Sequence, residues 1–117
     1  MKKESILMKT KKQGSHWTAY FDPDTKRYFA EILYINREGM EQYNYEITQD
    51  IYERLGTFSD DNDSIRLIET GKRTYSFENT MYGTIGPERT VWDEEANSAM
   101  CEAVKKQDKN NKEAKNK

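Results

Sequence analysis

Three runs of alternating apolar and polar residues follow one another between residues 16 and 47, separated only by tight-turn residues, and that spacing predicts an antiparallel meander. In the first run Trp17, Ala19 and Phe21 share a face, leaving Thr18 and Tyr20 on the other. Asp22-Pro23-Asp24-Thr25 has the composition of a turn and leads into residues 27 to 36, rich in Tyr, Phe, Ile and Leu. There Tyr28, Ala30, Ile32 and Tyr34 oppose Phe29, Glu31, Leu33 and Ile35. Arg37-Glu38-Gly39 turns the chain again, and in the third run Tyr43, Tyr45 and Ile47 lie on one side.

Helical signals follow. Thr48 suits an N-cap, Asp50 the first turn, Ile51, Tyr52 and Leu55 one face, and Gly56 the C-terminal cap. Residues 59 to 64 are polar enough to read as a solvated loop, and residues 65 to 70 fit a strand or one helical turn equally well. From residue 73 to 78 alternation returns with Tyr75 and Phe77 expected inward, after which Gly83, Gly86 and Pro87 predict an irregular segment. Val91-Trp92 then precedes a helix from about Asp93, whose Ala96, Ala99, Met100, Ala103 and Val104 would face the sheet. The expected class is α+β: an antiparallel sheet of about four or five strands, beginning with the three-stranded meander, packed with one short and one C-terminal helix.

Length and composition fit one core. The 117 residues are 34% hydrophobic, yet 14 are aromatic and eight of those are Tyr, more than a disordered polar chain carries. Mean hydropathy is -1.13. The organisation expected is a basic arm over residues 1–14 with Met8 a possible second start, one domain over 15–104, and a disordered lysine-rich tail or fraying helix over 105–117. A single cysteine, Cys101, allows no internal disulfide and favours a reducing cytoplasm. No stretch predicts an export signal or a bilayer span.

Charge is distributed unevenly. The net charge is -2, but each terminal segment of 14 residues carries +4, so residues 15–103 hold 8 Lys and Arg against 18 Asp and Glu, a net -10. A body of that sign repels nucleic acid and steers towards basic partners.

Recognisable chemistry is scarce. His16 and Cys101 are the sole imidazole and thiol, too few for a zinc site, and an EF-hand loop from Asp60 would need Gly where Ile65 stands and Glu where Gly71 stands. Cys101 has no evident base beside it, and pairs such as Glu94 with Glu95 or Glu69 with Glu78 are unspecific. Gly83-Thr84-Ile85-Gly86 spells the GxxG of a KH loop, but Pro87 directly after it predicts a turn. No phosphate-binding or dinucleotide motif is present, and no cofactor or metal is expected.

The aromatic surplus is what remains. In length, acidity and tyrosine content, though in no motif, the chain resembles the small accessory proteins of phages and mobile elements in low-GC bacteria. The function expected is a non-enzymatic regulatory protein whose acidic, tyrosine-bearing surface, with Tyr20, Tyr34, Tyr43, Tyr45, Asp60, Asp61 and Asp63 as candidates, docks on a basic partner such as a nucleic-acid-binding host protein. An alternative uses lysine-rich arms on nucleic acid, through Lys9, Lys11, Lys12, Lys105, Lys106 and Lys109. A third, an enzyme of unrecognised type, requires a pocket holding His16 or clustered carboxylates.

Overall fold

The computed structural model describes residues 10–80 and 87–115, with the side chains of Thr80 and residues 108–115 left out of the description. Within it the expected meander forms and is extended on both sides. The described residues give six antiparallel strands, more than expected, in sheet order identical to chain order: β1 Lys11–Gly14, β2 Trp17–Asp22, β3 Arg27–Asn36, β4 Gly39–Ile47, β5 Lys72–Thr80 and β6 Glu88–Val91. Two short helices, α1 Gln49–Arg54 and α2 Asn62–Ile68, connect β4 to β5, and α3 Glu94–Lys115 ends the chain.

Local chemistry sets the turns. The Asp22 Oδ1 atom accepts from the Asp24 amide at 3.0 Å, and Asn36 Oδ1 accepts from the Glu38 amide at 2.8 Å, both being side-chain turns of the kind Asp and Asn favour. Between β1 and β2 the turn is so tight that His16 takes φ 69°. Thr48 caps α1 by accepting from the Ile51 amide at 3.2 Å, and Gly56, with φ +83°, lets the chain leave that helix in the left-handed region.

Alternation then decides the layers. The side bearing Trp17, Ala19, Ala30, Ile32, Tyr45 and Ile47 packs against Ile51, Tyr52 and Leu55 of α1 and Ile65 and Ile68 of α2. On the reverse side Phe29 packs with Met100 and Ala103 of α3, with Tyr20, Ala99 and Val104 around them. The helices therefore sit on opposite faces of one sheet. Arg27 fastens α3 down: it holds Glu46 through two hydrogen bonds of 2.9 Å and Glu95 at 2.6 Å.

Several expectations need correcting. Lys11–Gly14 is a strand, although it falls inside the expected arm, because its backbone completes the edge of β2. Residues 1–9, with Met8 and Lys9, lie outside the described residues, as does the GxxG segment over residues 83–86. The strand-or-helix ambiguity at residues 65–70 resolves as helix, since Ile65–Ile68 end α2, and the expected loop over residues 59–64 instead starts that helix and contributes Ser64, fully buried, whose Oγ accepts from the Gly56 amide at 3.0 Å. Tyr75 and Phe77 are not the inward pair, since Thr74 and Ser76 are the buried residues of β5. Of the two expectations for residues 105–117, a disordered tail or a fraying helix extension, the backbone follows the helix, with α3 running to Lys115.

Gly14 illustrates why a glycine ends β1. A Cβ there would run into the Trp17 indole, which lies across it, so Gly14→Ala is expected to destabilise by about 1–2 kcal/mol through overpacking, measured by urea denaturation. An unchanged midpoint would mean that the indole is free to move aside.

Candidate functional site: a glutamate and tyrosine row

Register across β3 to β6 builds the most unusual surface of the molecule. Tyr34 pairs with Glu41, Glu41 with Glu78, and Glu78 with Glu88, so one tyrosine and three glutamates form a row across four strands on one face. Residues directly opposite in neighbouring strands have Cβ atoms about 5 Å apart, and like charges so placed repel. Behind this row stand Tyr43 and Ser76, and behind them Tyr45 and Arg73.

One hydroxyl serves two of these carboxylates. The Tyr43 hydroxyl lies 2.9 Å from Glu41 Oε1 and 2.7 Å from Glu78 Oε2, yet a phenol has one proton to donate, so at any instant one glutamate lacks it. Burial, then the hydrogen bonds to Glu78 and Glu41, push the Tyr43 phenol well above its ordinary range. Tyr34 is raised as well, by burial and by the charges of Glu69 and Glu41. Both phenols therefore remain protonated at neutral pH, and the Tyr43 hydroxyl acts as a donor.

The nearby cation is already engaged, though not by a carboxylate. Arg73 stacks over the Tyr43 ring at 4.8 Å and the Tyr45 ring at 5.4 Å, and it donates to the Tyr45 hydroxyl at 2.8 Å. None of Glu41, Glu78 and Glu88 forms an ion pair with a described residue. Trp92 borders the same face, 57% exposed, with its indole N–H on Ser76 Oγ at 3.1 Å. Beside Tyr34 and Glu41 lies a shallow depression of about 160 Å³, smaller than the pockets that hold drug-sized ligands.

The residues singled out from sequence divide between this row and other places. Tyr34 belongs to it, and Tyr43 stands directly behind it. Tyr45 is a core residue, 3% exposed, and Tyr20 lies on the reverse face under α3. Asp60, Asp61 and Asp63 open α2 and have local duties: Asp60 accepts from the Asn62 amide, Asp61 from the Ser15 amide and the Trp17 indole, and Asp63 pairs with Arg66. Glu41 and Glu88 were not singled out, and Glu78 was named only with Glu69 as an unspecific pair. Glu41 shares the parity of Tyr43 and Tyr45 and could have been found by it, whereas Glu78 could not, because a register shift between Asn44 and Tyr45 leaves Thr74 unpaired and reverses the parity of β5.

The lysines are partly spoken for. Lys12 donates to the carbonyls of Tyr52 and Leu55 at the end of α1, Lys105 pairs with Glu102, and Lys106 pairs with Asp22 and Asp24. Lys11 lies in β1, while Lys9 and the Lys109 side chain lie outside the described residues. Among the described residues no three His, Cys, Asp or Glu side chains converge to hold a metal ion, and no helix is long and apolar enough to cross a membrane. His16 is exposed with its ring 5.1 Å from that of Tyr34, and Cys101 is exposed on α3.

No family model matches the chain, and no curated protein or solved structure matches it either.

Proposed function

We propose that this chain is a non-enzymatic regulatory protein that works by binding, and that the row of Tyr34, Glu41, Glu78 and Glu88 docks on a basic protein surface, such as the nucleic-acid groove of a host protein. What carries the reading is a run of three glutamates set against one another in the sheet with one phenolic proton between two of them and no described cation on any. Such an arrangement costs stability in the free protein, and the cost is relieved when lysine or arginine side chains arrive from outside. The net charge of -10 over residues 15–103 steers such a partner in, and Trp92 and the tyrosines supply apolar contact once the charges meet. The reading suits an accessory protein of a phage or mobile element acting in a reducing cytoplasm.

The lysine-based alternative draws less support, because Lys12 and Lys106 have internal partners. An enzymatic reading would need His16 or clustered carboxylates in a pocket; His16 is exposed, and the depression beside Tyr34 and Glu41 measures only about 160 Å³.

An arginine-rich peptide is a suitable probe, with binding followed by calorimetry at several salt concentrations. The full chain is expected to bind it, progressively more weakly as salt rises. Replacing Glu41, Glu78 and Glu88 together by glutamine should weaken binding about 10-fold or more, at roughly 0.5–1 kcal/mol per exposed charge pair. A control that removes the exposed charges of Asp50, Glu53 and Glu102 should change it much less. Equal losses in the two triple variants would reduce the effect to net charge and sink the assignment to this row.

A further inference from the structure

The glutamate row runs out to the edge of the sheet. Its last member, Glu88, stands on the edge strand β6, so the next place in the row belongs to no described residue of this chain. Deeper in the row Glu41 and Glu78 share the Tyr43 proton, whereas Glu88 has neither a hydrogen bond nor an ion pair to any described residue. Cross-strand neighbours on one face interact in pairs, and the place beside Glu88 is open to such a neighbour.

The backbone of that edge is open as well. Trp92 donates its amide to the Thr74 carbonyl at 2.9 Å, continuing the β5–β6 ladder beyond the pair of Tyr75 and Val91. Hydrogen-bonded and non-hydrogen-bonded pairs alternate in an antiparallel ladder, so Glu88 and Thr90 turn their amides and carbonyls to β5, while Arg89 and Val91 turn theirs outward. No described residue meets those outward groups. The helices leave them clear: α1 and α2 pack over Trp17, Ala30 and Tyr45, and α3 crosses the reverse face from Lys72 and Arg27 towards Asp22, away from this edge. Val91 is 47% exposed and Trp92 57%, so apolar side chains flank the open backbone. An unpaired edge of this kind is a template for another strand. The opposite edge, β1, carries Lys11 and Lys12 and turns a basic segment away.

We infer that the basic partner presents an extended segment, which adds to the sheet as an antiparallel strand beside β6. This rests on the reading that the glutamate row docks on a basic surface, and it specifies the form in which the partner's charges arrive. The segment residues opposite Arg89 and Val91 exchange backbone hydrogen bonds with them and place their side chains on the reverse face. The residues between fall on the face of the row. One of them lies opposite Glu88 in a non-hydrogen-bonded pair, with Cα atoms about 4.5 Å apart, where lysine or arginine continues the row with the opposite charge. Another lies opposite Trp92, whose exposed indole takes a cation or an aliphatic side chain. The segment that fits therefore has a basic residue at every second position, a strand period rather than a cluster of charge.

The hexapeptide Arg-Val-Arg-Val-Arg-Val, with blocked ends, is a probe for the full chain, its binding followed by calorimetry at low salt. When its arginines face the row, its valine amides point at β6 and its arginine amides point away. Methylating the valine amides should weaken binding about 10-fold or more, the scale of two lost hydrogen bonds, and methylating the arginine amides should change it by less than about 3-fold. Val91→Pro removes one outward amide at a place where an edge strand tolerates proline, and it should weaken binding of the unmethylated peptide similarly, with circular dichroism checking the fold. The methylated peptides decide the matter on the unaltered protein even if that variant does not fold. Equal binding by the two methylated peptides, or a loss confined to the arginine-methylated one, overturns the added strand. If binding in that case still depends on Glu41, Glu78 and Glu88, the glutamate row stands without it; failure of every arginine peptide to bind overturns both.

Discussion

Replacing Trp17 by alanine is expected to remove about 3–5 kcal/mol of unfolding free energy, the range for losing a large buried aromatic. The indole is 3% exposed and lies across Gly14, with its far edge 3.8 Å from where a Cβ on Gly56 would be. Its N–H also donates to Asp61 Oδ2 at 3.0 Å, so one side chain joins the β1–β2 hairpin to the end of α1 and the start of α2. Small domains are stable by roughly 5–15 kcal/mol, so at the low end of that range the variant would sit near its unfolding threshold. Trp17→Phe refills most of the space without the N–H donor, and its smaller loss isolates the packing contribution from that of the hydrogen bond. Urea denaturation of both variants checks this, and a loss under about 1 kcal/mol for the alanine would show that the hairpin is held by its backbone alone. Binding through the glutamate row should fall in W17A only as far as the protein unfolds, because that row is carried by β4, β5 and β6.

The meander was legible because each of its strands has one buried face and a turn whose residues announce it. Period-two alternation grouped Trp17 with Ala19, Ala30 with Ile32, and Tyr45 with Ile47, and the structure buries all three groups on one side under α1 and α2. The face of α3 was legible for the same reason, since Ala96, Met100 and Ala103 recur at helical spacing and are all buried. Where the reading went astray, the decisive partner was distant in sequence. Nothing local in Lys11–Gly14 indicates a strand, because what orders it is the free edge of β2. Nothing local makes Ser64 a buried residue either, because its burial depends on the amide of Gly56, which the end of α1 delivers to it.

The candidate site was less legible than the fold, for a related reason. A row across a sheet is a property of register, and register between β4 and β5 passes through the irregularity at Thr74. Alternation alone made Tyr75 and Phe77 the inward residues of β5, and that choice pointed Glu78 away from Tyr34 and Tyr43. The structure reverses it, and the reversal assembles the glutamates. The acidic loop at residues 60–63 drew attention by charge density instead, yet those carboxylates fold the chain: Asp61 alone accepts from both Ser15 and Trp17. Charge density identifies solvated surface, whereas uncompensated charge, visible only once partners are counted, identifies surface with something left to bind.

The same count assigns Lys106 to the fold. Asp22 is 3% exposed, with Lys106 Nζ at 3.0 Å and the Asp24 amide at 3.0 Å. Burial raises the Asp22 carboxyl, but the hydrogen bonds from Lys106, the Asp24 backbone and Thr25 outweigh it, and the group ends below the ordinary carboxylate range. Asp22→Ala should therefore cost about 2–3 kcal/mol, the scale of losing hydrogen bonds to a buried charge. Because the folded-state value is depressed, this contribution is present above about pH 4, where the unfolded carboxyl ionises, and is lost as pH falls through the folded value. Wild type should lose that increment on acidification, and D22A, already without it, should show a flatter profile there. Lys106→Met should destabilise at neutral pH by leaving Asp22 buried and charged, and adding Asp22→Asn should recover part of the loss. Chemical denaturation of the three variants from pH 7 to pH 3 measures all of this. Coupling between Asp22 and Lys106 would place that lysine in the attachment of α3 to the β2–β3 turn; additive losses with a parallel acid profile would release it, and the lysine-based reading of the chain would regain one of its residues.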